Sequence, residues 1–351
     1  IATLNEGENV QKLFNEIEIS LQKTALSWEV IFVDDNSNDN TIKNINLIRD
    51  KFKNVFLISR KDKRGLSSAL IQGALSSNSK YIVFMDADLQ HNPKYILELY
   101  KKIKNNDLDL VSASRFINKD NLINKKRYKI SILVNLVLQK IFKLKYSDLL
   151  TGYMILNKNY LINNLNKLSL KGFKILLDII LSNKKNIKFE EIAFNFEPRY
   201  SGSSKLNNKI MIDFIYLILD KSIGKIIPAR YIIYSIVGLF GAILQLITFY
   251  IFYQLISFNI ALAISIIIAM SMNFVINNEF TYSDLKLRGS DFFYGLLKFY
   301  FFCSFGALFN FLSAKLFYEF FSIIFISVIL GAVVGSIWNY SMNKSFNWKD
   351  T

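Results

Sequence analysis

The chain has 351 residues but only one cysteine, Cys303, and one histidine, His91. A single cysteine excludes an internal disulfide, and its position within an apolar segment fits a reducing or membrane setting. His91 stands before Asn92-Pro93 and is expected to be a turn residue rather than a ligand. Charge is absent from Tyr231 to Asn278, which is the composition of membrane-spanning helices. Acids are scarce between Arg115 and Lys145, where nine Lys or Arg face Asp120 alone. The chain opens Ile1-Ala2-Thr3-Leu4-Asn5-Glu6 with no signal-peptide pattern, and the start of a first strand is expected upstream of this numbering.

What is present is apolar and basic. Hydrophobic residues make up 52% of the chain, with the excess after residue 230, and the net charge is +15. Nucleic acid is one partner for such a charge; anionic headgroups and phosphate substrates are another, favoured here by the apolar segments. The length fits two or three domains.

Residues 1 to about 200 alternate short apolar runs with amphipathic segments. Strands are expected at Val30–Val33, Val55–Ile58, Tyr81–Met85, Leu108–Ala113 and Lys188–Phe194. Helical patterns cover Val10–Lys23, Leu66–Leu75 and Pro93–Lys104. This alternation implies an α/β domain over 1–204 with a mainly parallel sheet, whose ligands sit beyond the carboxyl ends of the strands. Asp34, Asp35, Asp86 and Asp88 all fall at such ends. Residues 205–230 are apolar but interrupted by Asp213, Asp220, Lys221 and Lys225, a pattern for helices lying on a membrane surface.

An all-α transmembrane domain of four helices is expected over 231–351, with spans near 231–255, 258–278, 294–317 and 322–342. Lys286, Arg288 and Lys298 follow the second span, and Lys344 and Lys349 end the chain, which places the α/β domain and both termini on the cytoplasmic side. The segment Asn273-Phe-Val-Ile-Asn277-Asn-Glu-Phe280-Thr-Tyr282 recurs 66 residues later as Asn339-Tyr-Ser-Met-Asn343-Lys-Ser-Phe346-Asn-Trp348. Phe240-Gly241-Ala242 and Phe305-Gly306-Ala307 recur likewise, so two hairpins of one type are expected.

The strongest chemical motif is Asp86-Ala-Asp88-Leu-Gln90, which follows an apolar strand. Residues i and i+2 on a strand share a side, and two carboxylates there suit Mg²⁺ or Mn²⁺ carrying a phosphorylated ligand. Asp34-Asp35-Asn36-Ser37-Asn38-Asp39-Asn40-Thr41 is either a nucleoside-binding loop or a polar turn with a helix cap. Arg60-Lys61-Asp62-Lys63-Arg64-Gly65 is either a phosphate cradle or a solvated charge run.

These motifs, in this order after Thr3-Leu-Asn-Glu6, resemble the family 2 glycosyltransferases of GT-A (Rossmann-like) fold. Asp148-Leu-Leu-Thr-Gly152-Tyr153, Gly172-Phe-Lys174-Ile-Leu-Leu-Asp178 and Arg199-Tyr-Ser-Gly202-Ser-Ser204-Lys205 resemble the dolichyl-phosphate mannose synthase group, and the membrane half is similar to a GtrA-type domain, fused in some prokaryotic members. The resemblance implies that Thr3, Leu4, Glu6 and Asp35 hold the nucleoside, and that Lys63 and Asp86 serve the nucleotide. It implies Asp86, Asp88 and Gln90 as metal ligands, and Arg115, Arg127, Ser131, Arg199 and Lys205 around an acceptor phosphate. Asp148 and Asp178 would sit near the sugar or order the basic residues, with Asp88, Arg115, Arg127 and Asp148 as the catalytic set. Ala2 replaces the family's usual Pro and Asp178 its common Glu, while the Gln-x-x-Arg-Trp signature of processive polysaccharide synthases is missing.

The implied reaction is inverting transfer of mannose from GDP-mannose to a polyprenyl or dolichyl phosphate in a prokaryotic plasma membrane. UDP-glucose is the alternative donor, and translocation of a lipid-linked sugar by the membrane half is the reading from another class. A lipid phosphate is largely dianionic at neutral pH and needs no strong base, so the protein's work is positioning and charge.

Overall fold

The computed structural model describes residues 1–61, 65–117, 125–169, 174–201, 208–224 and 226–349, in two compact units, Ile1–Ser222 and Ile223–Thr351. The first runs β1 (Ala2–Thr3), α1 (Val10–Leu21), β2 (Val30–Asp34), α2 (Thr41–Arg49), β3 (Val55–Ser59), α3 (Leu66–Ser76) and β4 (Tyr81–Phe84). After a short 3-10 turn come α4 (Ile96–Asn105), β5 (Leu110–Ser114), α5 (Lys125–Phe142), β6 (Met154–Asn157), α6 (Lys158–Asn164), α7 (Ile175–Ser182), β7 (Phe189–Ala193) and α8 (Asn208–Ile223).

β1, β2 and β3 form one parallel group, β4-β6-β5-β7 another, and a parallel bridge between Ala2 and Asp86 joins them. The resulting order is β3-β2-β1-β4-β6-β5-β7, with β6 antiparallel to both neighbours. All five expected strands are present. β6 is the addition: its short run Met154-Ile155-Leu156 carries no signal of direction, so the sheet is more mixed than its composition suggests.

Helices cover both faces. α1 buries Val10, Leu13, Phe14, Ile17 and Leu21, an apolar stripe at helical spacing, in one core. α3 and α7 pack in the second core, which Leu217 of α8 joins from the far end of the unit. α5 is divided differently. It buries Asn135, Leu138 and Phe142 but leaves Ile130, Leu133, Leu136, Val137 and Ile141 exposed, beside exposed Lys129, Lys140, Lys143 and Lys145.

The second unit is helical: α9 (Ala229–Tyr253), α10 (Phe258–Ile276), α11 (Ser290–Phe321) and α12 (Ile324–Phe346). Among the described residues three helices are long and apolar enough to cross a membrane: α9, α11, and α10 with the π-helical turn that extends it to Thr281. The two repeats make the same contacts. A Cβ on Gly241 would collide with Asn273 Oδ1, and one on Gly306 with Asn339 Oδ1, so each asparagine needs the bare backbone opposite it. Asn277 donates to the Asn273 carbonyl as Asn343 does to that of Asn339. The matched residues Tyr282 and Trp348 stack on each other, 4.2 Å apart and 4° from parallel.

Candidate active site

β2 brings Asp34 and Asp35 to its carboxyl end, where the loop after β1 closes on them. Asp34 is fully buried; its Oδ1 accepts from Thr3 Oγ1 at 3.0 Å and from Ser37 Oγ at 2.5 Å. Asn5 N donates to Ser37 Oγ at 2.8 Å, and Glu6 N donates to Thr41 Oγ1 at 2.8 Å. Half-buried Leu4 lies between these anchors, while Glu6 Oε2 accepts from Asn9 at 2.6 Å. Asp35 is in a buried ion pair: Arg60 Nε donates to its Oδ1 at 2.5 Å, and Gly65 N to its Oδ2 at 2.8 Å. Lys63 lies outside the described residues.

β4 ends in the carboxylate pair. Asp86 is part-exposed; Asp88 is buried. Asp88 Oδ1 accepts from Gln90 N at 3.1 Å, and Arg199 Nη2 lies 2.9 Å from its Oδ2 and 3.2 Å from Gln90 Oε1. Between them Leu89 takes a φ of 66°, a left-handed turn that is costly for a bulky residue and is the sort of strain that gathers at functional sites. Burial, and then the charge of Asp86, hold the Asp88 carboxyl above its usual range, against the pull of His91 and Arg199. The 197–200 segment is laid along this turn by Glu197 N to Gln90 O and Tyr200 N to Asp88 O.

β5 ends at Arg115, which is clamped by fully buried Asp148: Nε donates to Oδ2 at 2.6 Å and Nη2 to Oδ1 at 2.9 Å. Burial works against this guanidinium, but Asp148 overrides it and keeps the charge on. Glu191 of β7 places the clamp by accepting from Ser147 N at 2.7 Å and Asp148 N at 2.9 Å. α5 is tied to the same loop through Asn135, which donates to the Ser131 carbonyl and accepts from Leu149 N. Ser131 is therefore one turn from the loop's anchor. Arg127 falls in the first turn of α5 with its side chain outside the described residues, and Lys205 lies outside them altogether. Asp178 is bound to Lys221 of α8 at 2.7 Å and accepts from Ser169 N at 2.9 Å, so it orders a basic residue on the helix that ends the unit.

Comparison with known proteins decides the family. Residues 1–164 match Glycosyl transferase family 2, and residues 233–348 match the GtrA/DPMS transmembrane domain. The chain is 33% identical to the dolichol-phosphate mannosyltransferase of Pyrococcus furiosus over 99% of its own length and 98% of that protein. It belongs to the family 2 glycosyltransferases. The Saccharomyces cerevisiae dolichol-phosphate mannosyltransferase is 29% identical over 73% of this chain and 95% of its own. A crystal structure of glucosyl-3-phosphoglycerate synthase from Mycobacterium tuberculosis with Mn²⁺, UDP-glucose and phosphoglyceric acid shares the α/β fold, with a TM-score of 0.50 at 12% identity over 63% of this chain and 77% of that one. The chain is thus a glycosyltransferase and a membrane protein.

The residues at the end of β4 fit a divalent cation by their chemistry. Two carboxylates and an amide oxygen are a hard donor set, and a cation would offset both the burial and the nearby charge of Asp86 that raise Asp88. Gly152 opens the space beside them: a Cβ there would lie 3.3 Å from Asp86 Oδ1. Among the described residues no three His, Cys, Asp or Glu side chains gather as a metal cage.

Three residues of the site carried little signal in the sequence. Arg60 lies in the motif that reads either as a phosphate cradle or as a solvated charge run, and Glu191 falls within the expected Lys188–Phe194 strand with no role of its own. Lys174 belongs to a quoted motif but had no role. Its buried Nζ donates to the Leu150 carbonyl at 2.8 Å, and burial, then the charge of Arg115, push its ammonium down to about 8. The sign for stability follows from proton binding. Between about pH 8 and the ordinary lysine range near 10.5, the unfolded chain holds a proton that the folded domain has lost. Stability from this group therefore rises with pH across that window. Comparing the Tm of the parent and Lys174→Met at pH 7.5 and pH 10 checks it: the parent should gain relative to the variant as pH rises, and equal shifts would remove the buried-ammonium account.

Proposed function

We propose that this glycosyltransferase moves mannose from GDP-mannose to a membrane polyprenyl or dolichyl phosphate, inverting the anomeric carbon. The observation that carries this reading is the match to the Pyrococcus furiosus dolichol-phosphate mannosyltransferase along both the catalytic and the membrane parts. The wall built on Thr3, Leu4 and Glu6 from the end of β1 and Asp35 from the end of β2 binds the nucleoside. Asp86, Asp88 and Gln90 hold Mg²⁺ or Mn²⁺, which when bound stabilises the departing nucleoside diphosphate as a Lewis acid. Arg115, Arg127, Ser131, Arg199 and Lys205 gather the acceptor phosphate. The Asp148 clamp fixes the plane of Arg115, so its charge is oriented before substrate arrives. Arg199 touches Asp88 and Gln90 and so stands where the two anionic substrates meet.

The exposed stripe Ile130, Leu133, Val137 and Ile141, rimmed by lysines, supports a lipid acceptor. A helix with one apolar face and a basic rim lies in the headgroup region of an anionic bilayer. Such a helix would carry Ser131 near the depth of a lipid phosphate, which supports its role at the acceptor. The basic residues Lys286, Arg288, Lys344 and Lys349 support a cytoplasmic catalytic side.

The test is a donor panel. Purified full-length protein is given GDP-mannose, UDP-glucose and GDP-glucose with farnesyl phosphate, with and without EDTA. Mannosyl farnesyl phosphate formed from GDP-mannose, and lost with EDTA, is the expected result. A product made only from UDP-glucose would replace the donor, and full activity in EDTA would remove the metal.

A further inference from the structure

His91 is buried directly behind the carboxylate pair, yet nothing in the reaction proposed above uses it. The main-chain N–H of Asp86 donates to His91 Nδ1 at 3.0 Å. Nδ1 is therefore an acceptor, and the proton of the neutral ring is on Nε2. The ring is held on several sides. It stacks on Tyr153 at 5.1 Å, meets the edges of Phe194 and Phe196, and faces Gly152, where a Cβ would lie 3.4 Å from Cε1. Tyr153 in turn donates its hydroxyl to the Asn92 carbonyl at 3.0 Å, locking the turn that carries His91. The imidazole is thus a fixed post, and the group fastened to it is the amide of Asp86. Asp86 is also where β4 leaves its ladder with β6, its strand contact there being the isolated bridge to Ala2. There the bond from the Asp86 amide to His91 adds a second restraint to that bridge.

We propose that His91 is a positioning residue for the metal site: through Nδ1 it holds the main chain of Asp86 so that the carboxylate meets a divalent ion at the end of β4. This rests on the reading of Asp86 and Asp88 as metal ligands. Groups that orient ligands from behind typically set metal affinity by 10- to 100-fold. His91→Asn keeps an acceptor close to the position of Nδ1. His91→Gln moves the acceptor one bond farther, and His91→Phe keeps the packing but removes it.

The experiment measures Mn²⁺ binding directly, by electron paramagnetic resonance of the full-length protein with GDP present, for the parent, these three variants and Asp88→Asn. His91→Phe and His91→Gln should weaken Mn²⁺ by at least about tenfold, while His91→Asn stays close to the parent. In turnover assays the two poor binders should show a raised KM for Mn²⁺ with kcat largely restored at saturating metal. Parent-like Mn²⁺ binding by His91→Gln overturns the proposal, even if His91→Phe fails to fold. Equal loss in His91→Asn also overturns it, because the ring's packing and not its acceptor would then matter. If Asp88→Asn binds Mn²⁺ like the parent, the metal reading itself fails, and the His91 proposal falls with it. That outcome is distinguishable because the acceptor series is then beside the point.

Discussion

Asp88→Asn is expected to lower transfer by about a thousandfold or more while the protein stays folded. The amide keeps the shape of the side chain and its contacts with Gln90 N, but it removes the charge that would grip the cation. Loss of one Lewis-acid anchor costs several kcal/mol of transition-state stabilisation, and about 4 kcal/mol is a factor of a thousand. Folding should survive because burial and Asp86 already disfavour the negative form of Asp88. Arg199, left without its carboxylate, is part-exposed and reaches water. The measurement is single-turnover transfer at saturating donor, with Tm taken in parallel. Near-normal turnover that still requires metal would move the ligand role to another residue.

Asp148→Ala is expected to cost stability first and activity with it. It strips both hydrogen bonds from the Arg115 side chain and leaves a mostly buried guanidinium beside a cavity. Removing one partner of a buried pair typically costs about 3–5 kcal/mol. For a domain of this size that is a fall in Tm on the order of 10 °C. Arg115→Met/Asp148→Leu, which removes both charges, should recover much of the Tm but none of the transfer. If the double variant is no more stable than Asp148→Ala, the loss is one of packing and not of an orphaned charge.

The parts of the fold that could be read in advance were those set by local periodicity. α1 shows its core face in Val10, Leu13, Phe14 and Ile17, and the run Tyr81–Phe84 announces a strand before Asp86. β6 was hidden because four residues do not specify a direction; its antiparallel pairing follows from neighbours distant in sequence. The acidic motif was legible because two carboxylates spaced i and i+2 follow directly on an apolar run, although the strand stops at Phe84 and the turn at Leu89 sets where the two acids lie. The partners of those acids were not. Arg60 reaches Asp35 across 25 residues, Arg199 reaches Asp88 from beyond the last strand, and Glu191 seats Asp148 from a neighbouring strand. Such pairings depend on the sheet order. The apolar stripe of α5 was masked by the basic residues around it: periodicity marks a face, and burial reveals whether protein covers it.

The stacked rings of Tyr282 and Trp348 occupy matched places in the two hairpins, and each has the other as its neighbour. Matched residues meet in this way where two identical subunits share an isologous contact. The helical unit has one such self-matched contact between its own two hairpins, and the matched positions already differ, tyrosine in one and tryptophan in the other.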